Sequence, residues 1–131
     1  MSSWKEETSA DLDNAVRDIR GLMDGISGEP SEAQLLSIWR AYLLVEKSIA
    51  FIRVEIDEEN PGRFVRMGPY QVPDERQALQ FALRNLEKGS ESFRLGDFGQ
   101  AIKGLREGRN YLRVLLRQKR LSRLKKASRR P

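Results

Sequence analysis

The sequence predicts an all-α protein: a four-helix up-and-down bundle of two antiparallel helical hairpins, with an extended basic C-terminal helix. Three observations carry that expectation. Apolar residues recur at helical spacing along most of the 131 residues. No segment alternates apolar and polar with period two for more than a few residues, which argues against strands. Three candidate helix starts place a Ser or Asp three residues before a Gln, the spacing of a capping box.

The first helix is expected from about Ser9 to Asp24. Leu12, Ala15, Val16, Ile19, Leu22 and Met23 form one stripe, and Gly25 and Gly28 end it. Pro30-Ser31 opens the second helix, where Ser31 accepts from a free backbone N–H and Gln34 returns the bond. Its main stripe is Leu35, Ile38, Trp39, Tyr42, Val45, Ile49, Ile52 and Ile56, widened by Leu36, Leu43, Ala50 and Val54. So broad a stripe predicts a central helix touching more than one neighbour. Asn60-Pro61-Gly62 should stop it after roughly 28 residues, about 42 Å.

The third helix begins at Asp74, with Gln77 completing a capping box, and buries Leu79, Phe81, Ala82, Leu83, Leu86 and Phe93. A turn at Leu95-Gly96 leads to Asp97 and Gln100, which open the fourth. That helix buries Phe98, Ala101, Ile102, Leu105, Leu112, Leu115 and Leu116. Agreement among three independent helix starts strengthens the assignment. Short connections make helices one and two, and three and four, antiparallel pairs. A 13-residue link, Pro61–Pro73, joins the two hairpins.

Composition excludes several kinds of chemistry. The chain has neither cysteine nor histidine. That removes disulfides, thiolates, imidazole bases and the usual zinc and di-iron sites. It contains no Walker loop, no Gly-x-Gly-x-x-Gly and no Gly-x-Ser-x-Gly, so no enzymatic activity and no cofactor are expected. No apolar run approaches the ~18 residues of a membrane span. Met1–Ala10 is too polar for a secretory signal, and with no cysteine the expected compartment is the cytoplasm.

Charge is distributed unevenly. Residues 1–107 carry 14 basic and 19 acidic side chains, whereas residues 108–131 carry ten basic and no acidic ones. This divides the chain into a bundle, residues 1–116, and a basic helical extension, residues 117–131. Past Leu116 the core stripe calls for apolar residues and finds Lys119, Ser122 and Arg123 instead. Ten cations in 24 residues repel one another unless an anionic surface sits opposite.

Three further features bear on function. The link interleaves Arg63, Phe64, Arg66, Met67 and Tyr70, a mixture that either stacks bases and holds phosphates or folds back to seal an open bundle end. Ala101, Gly104 and Gly108 fall on one narrow line of helix four. There another helix can approach closely, either helix two of the same chain or a second copy. Glu55, Asp57, Glu58 and Glu59 crowd the C-terminus of helix two, where negative charge opposes the helix dipole.

Residues 86–112 include Gly89, Gly96-Asp97-Phe98, Ala101-Ile102, Leu105 and Gly108. That spacing resembles one tetratricopeptide-type helical hairpin, and Gly-Asp-aromatic turns of this kind are similar to those of HEPN-like bundles. The resemblance covers about a fifth of the chain and implies only the hairpin geometry. The Arg-x(4–6)-His motif on which HEPN RNA cleavage depends is absent, since the chain has no histidine.

The expected function is non-enzymatic contact with an RNA or DNA backbone. Arg117, Lys119, Arg120, Arg123, Lys125, Lys126, Arg129 and Arg130 are the candidate phosphate contacts, with Arg63, Arg66 and Tyr70 as accessories. The alternative is a protein-interaction module, either a homodimer or part of a larger assembly. In it the Ala101, Gly104 and Gly108 line and the broad face of helix two drive association, and the basic arm docks on an acidic surface. An anionic membrane, with Leu121 and Leu124 beneath the headgroups, ranks last.

Overall fold

The computed structural model describes residues 3–26, 28–56 and 74–128, with side chains up to residue 117. Four helices are present: α1 (Trp4–Met23), α2 (Glu32–Glu55), α3 (Glu75–Arg94) and α4 (Phe98–Ser128). Among the described residues there is no strand, and the all-α helical bundle expected from the sequence is what forms.

The helix ends follow from local chemistry. Helix α1 starts at Trp4, five residues earlier than its apolar stripe suggested. Ser3 caps it by accepting from the Glu6 backbone N–H at 3.2 Å, and Glu6 and Glu7 face the positive end of the dipole. Ser31 and Gln34 form the reciprocal capping box of α2, at 3.2 and 2.8 Å. At α3 only half of the expected box is made. Asp74 accepts from the Gln77 backbone N–H at 2.7 Å, whereas Gln77 Oε1 is buried without a hydrogen-bond partner. Asp97 accepts from the Gln100 backbone N–H at 3.2 Å. Gly96 supplies the left-handed turn (φ 80°) that reverses the chain between α3 and α4. Helix α2 ends at Glu55, before Pro61 and at the edge of the acidic run that disfavours a helix C-terminus.

The four helices stand in a ring in which α1 touches α2 and α3, and α4 touches α2 and α3. Cross-contacts give the directions. Asp18 meets Arg40 while Glu7 and Asp11 meet Lys47, so α1 and α2 are antiparallel. Glu46 meets Arg109 while Tyr42 meets Arg113, so α2 and α4 are antiparallel as well. Phe93 packs on Phe98 and Phe81 on Tyr111, which sets α3 against α4 in the same sense. Asp13 pairs with Arg94 and Arg20 with Glu87, so α1 and α3 also oppose. Helices α2 and α3 therefore lie on a diagonal and point the same way. Ile56 and Asp74 consequently stand at opposite ends of the bundle.

The core is one cluster, drawn from Leu12, Ala15 and Ile19 of α1, Ile38, Val45 and Ile52 of α2, Leu79 and Leu86 of α3, and Leu105 and Leu112 of α4, among others. At one end Trp4 packs edge-on to Phe93, with ring centroids 5.8 Å apart, and lies 5.7 Å from Phe98.

Three expectations are corrected here. The helices run up, down, down, up rather than alternating as in an up-and-down bundle, because α2 and α3 point the same way and residues 57–73 join opposite ends. Helix α2 is not central, because each member of a four-helix ring has two neighbours and one open face. The residues that widened its stripe turn outward: Leu36, Leu43, Ala50 and Val54 are all exposed. The helix that approaches the glycine line of α4 is α3, not α2.

Candidate functional site

The C-terminal cations divide at Arg117. Of the ten that follow Glu107, two belong to the bundle. Arg109 donates to Glu46 Oε1 at 3.0 Å, clamping α4 to α2. Arg113 donates to the Tyr42 hydroxyl at 3.3 Å, its guanidinium 5.9 Å from the centre of that ring. Leu112 and Leu115 are buried, Leu116 is half-buried and Arg117 is exposed. Lys119, Arg120, Arg123, Lys125 and Lys126 lie on α4, with side chains outside the described residues. Arg129 and Arg130, and the accessory candidates Arg63, Arg66 and Tyr70, lie outside the described residues altogether. So do Asp57, Glu58 and Glu59 of the acidic run, and the link that was weighed as a seal.

Many acids of the body already face cations of the body. Arg20 pairs with Glu87 at 3.1 Å, Arg40 with Asp18 at 3.1 Å, and Arg94 with Asp13. Lys47 reaches both Glu7 at 2.8 Å and Asp11 at 3.0 Å. Its hydrogen bond to Glu7, and then that to Asp11, hold the ammonium above its ordinary value. Burial, with a smaller push from Glu107, raises the Tyr111 phenol. These pairs stitch neighbouring helices together. They also occupy six carboxylates with five cations, none of them beyond Arg109.

Gly104 and Gly108 lie in the α3–α4 seam, and Ala101 is buried. A Cβ on Gly104 would sit 2.9 Å from the Gly89 nitrogen and 3.0 Å from the Asn85 carbonyl oxygen, both backbone atoms of α3. One on Gly108 would sit 2.7 Å from the Leu86 side chain. Gly89 returns the fit, since a Cβ there would lie 2.9 Å from Leu105. Beside this seam an open groove of about 440 Å³ is lined by Asn85, Lys88, Glu91, Lys103 and Glu107. Its charges are of both signs.

The broad face of helix two, which the alternative reading put in an association surface, is bare along its outer side. Of the seven large apolar side chains exposed among the described residues, five lie on α2 and a sixth, Ile56, caps it. The signal in the sequence was the breadth of its apolar stripe, wider than one neighbour can cover.

Among the described residues no group of three or more acids converges in a way that would hold a metal ion, and no helix is long and apolar enough to cross a membrane. Comparison with family models, curated proteins and solved structures finds no match for this chain.

Proposed function

We propose that the protein is a non-enzymatic helical module that docks on the phosphate backbone of nucleic acid through the basic end of α4. It would work in the cytoplasm, which a cysteine-free composition suits. The observation that carries the reading is the charge partition. Arg109 and Arg113 serve the bundle, and eight further cations follow with no acid among them. Six carboxylates of the body are matched to the body's own cations, which reduces what remains to neutralise those eight.

A run of cations on one helical arm neutralises phosphates and releases their counterions without reading base edges. Affinity then depends on charge and salt rather than on sequence. Arg117, Lys119, Arg120, Arg123, Lys125, Lys126, Arg129 and Arg130 are the contacts, with Arg63, Arg66 and Tyr70 as accessories. Fluorescence anisotropy with a labelled duplex and a labelled single strand tests this, comparing the full chain with one that ends at Leu116. The shortened chain should keep its helical circular dichroism and lose binding at least a hundredfold. Equal binding by the two chains overturns the proposal.

A further inference from the structure

The open face of α2 carries a ridge that the bundle leaves bare. Leu36 is 69% exposed, Trp39 48%, Leu43 49% and Val54 75%, and Ala50 is exposed with them. The ridge extends from residue 36 to residue 54, about 27 Å of straight helix. Positions 36, 43 and 50 are seven residues apart, with Trp39 in the intervening register, the spacing of a helix-to-helix seam. Exposed parts of the large apolar residues along α2 amount to on the order of 500 Å², the size of the largest apolar patches on soluble monomers.

The borders of this ridge are polar and already satisfied within the chain. Arg40 is held by Asp18 and Lys47 by Glu7 and Asp11 on the α1 side, while Glu46 is held by Arg109 on the α4 side. An apolar centre inside a polar rim is the anatomy of a protein interface. With its rim the face approaches the ~800 Å² per partner of a standard-sized one.

We infer that the occupant is α2 of a second copy, packed antiparallel about a two-fold axis at the level of Leu44 and Val45. The sizes of the side chains single out this partner. Along the ridge itself bulk is concentrated in the first half, at Leu36 and Trp39, and smaller groups in the second, at Ala50 and Val54, while Phe51, 38% exposed, stands to one side beside Lys47. Antiparallel pairing sets Trp39 over Ala50 of the second copy and Leu36 against its Val54. Leu43 then lies along the aliphatic stem of the opposing Lys47, whose ammonium stays turned towards Glu7 and Asp11. A two-fold contact of this kind is isologous and closes at two copies. It also places two basic C-terminal arms on one particle.

Light scattering and sedimentation equilibrium on the full chain test the pairing, with Leu43→Lys as the variant. Leu43 is exposed and outside the core, so the variant keeps its fold, as circular dichroism will show. The expected mass is twice 15.1 kDa for the parent and 15.1 kDa for the variant. High salt should leave the parent dimer intact, unlike nucleic-acid binding, so failure of either proposal can be told from failure of the other. Orientation is read from single cysteines in this cysteine-free chain. Oxidised Leu43→Cys should cross-link, its two copies lying about 5 Å apart along the axis, whereas Leu36→Cys, about 26 Å apart, should not. A cross-link at position 36 overturns the antiparallel arrangement. A monomeric parent at 200 μM overturns the pairing altogether. In that case, loss of thermal stability in Leu43→Lys assigns the face to residues 57–73 of the same chain, and unchanged stability assigns it to a different protein.

Discussion

Gly104→Ala is the sharpest probe of how α3 and α4 meet. In an open helix, replacing Gly by Ala stabilises by roughly 0.5–1 kcal/mol, because Ala loses less backbone freedom on folding. At Gly104 the new methyl would lie 2.9 Å from the Gly89 nitrogen and 3.0 Å from both the Asn85 oxygen and the Gly89 Cα. These are backbone atoms of a packed helix, so relief requires α3 and α4 to move apart. Overpacking of this kind costs about 1–3 kcal/mol, which outweighs the propensity gain and leaves a net loss of about 1–2 kcal/mol. Gly21 is the control, since a Cβ there meets nothing within 4 Å and Gly21→Ala should stabilise by about 0.5 kcal/mol. Urea unfolding followed by circular dichroism, at one protein concentration, measures both. The midpoint should fall for Gly104→Ala and rise for Gly21→Ala. A rise for both would refute the close approach within the chain and return Gly104 to the role of a seam between copies.

Other substitutions test the remaining parts. Leu105→Ala removes a fully buried side chain packed on Gly89 and should cost about 2–5 kcal/mol, seen as a lower urea midpoint with the helical signal retained in the folded state. Ser31→Ala breaks the reciprocal capping box of α2 and should cost about 1 kcal/mol by the same assay. Arg20→Ala breaks an exposed pair and should change stability by less than about 1 kcal/mol, so a larger loss would show that the α1–α3 contact depends on it. Alkaline pH acts through Lys47 and Tyr111, whose ordinary values of 10.5 and 10.0 are both raised in the fold. Each holds its proton more tightly folded than unfolded, so the stability these groups contribute is fully present at neutral pH and is lost as pH rises above about 10. A urea midpoint that stays constant up to about pH 11.5 would contradict this.

The element plan was legible because helical periodicity and caps are local properties. Ser31 with Gln34, Asp74, and the turn at Gly96 marked helix ends that the fold uses. Helix α1 was read too short because Trp4–Thr8 is mostly polar, whereas Ser3 capping and the packing of Trp4 on Phe93 and Phe98 extend it. Neighbour relations were not legible, since periodicity says which face is apolar and not what meets it. Gly104 and Gly108 announced a close approach, yet only the stacking of the hairpins decides that α3 makes it. For the same reason the width of the α2 stripe suggested burial on several sides when half of it faces outward. The charge asymmetry was plain in the sequence. That Arg109 and Arg113 belong to the bundle required the third dimension.

The dependence of duplex affinity on salt reports most directly on whether the basic end holds phosphates. If about six of its eight cations engage a duplex, log K should fall against log salt with a slope near −5. Changing Arg117, Lys119 and Arg120 together to Gln should then make that slope shallower by nearly three. A slope near zero, or one the triple variant leaves unchanged, would show that these cations do not touch nucleic acid.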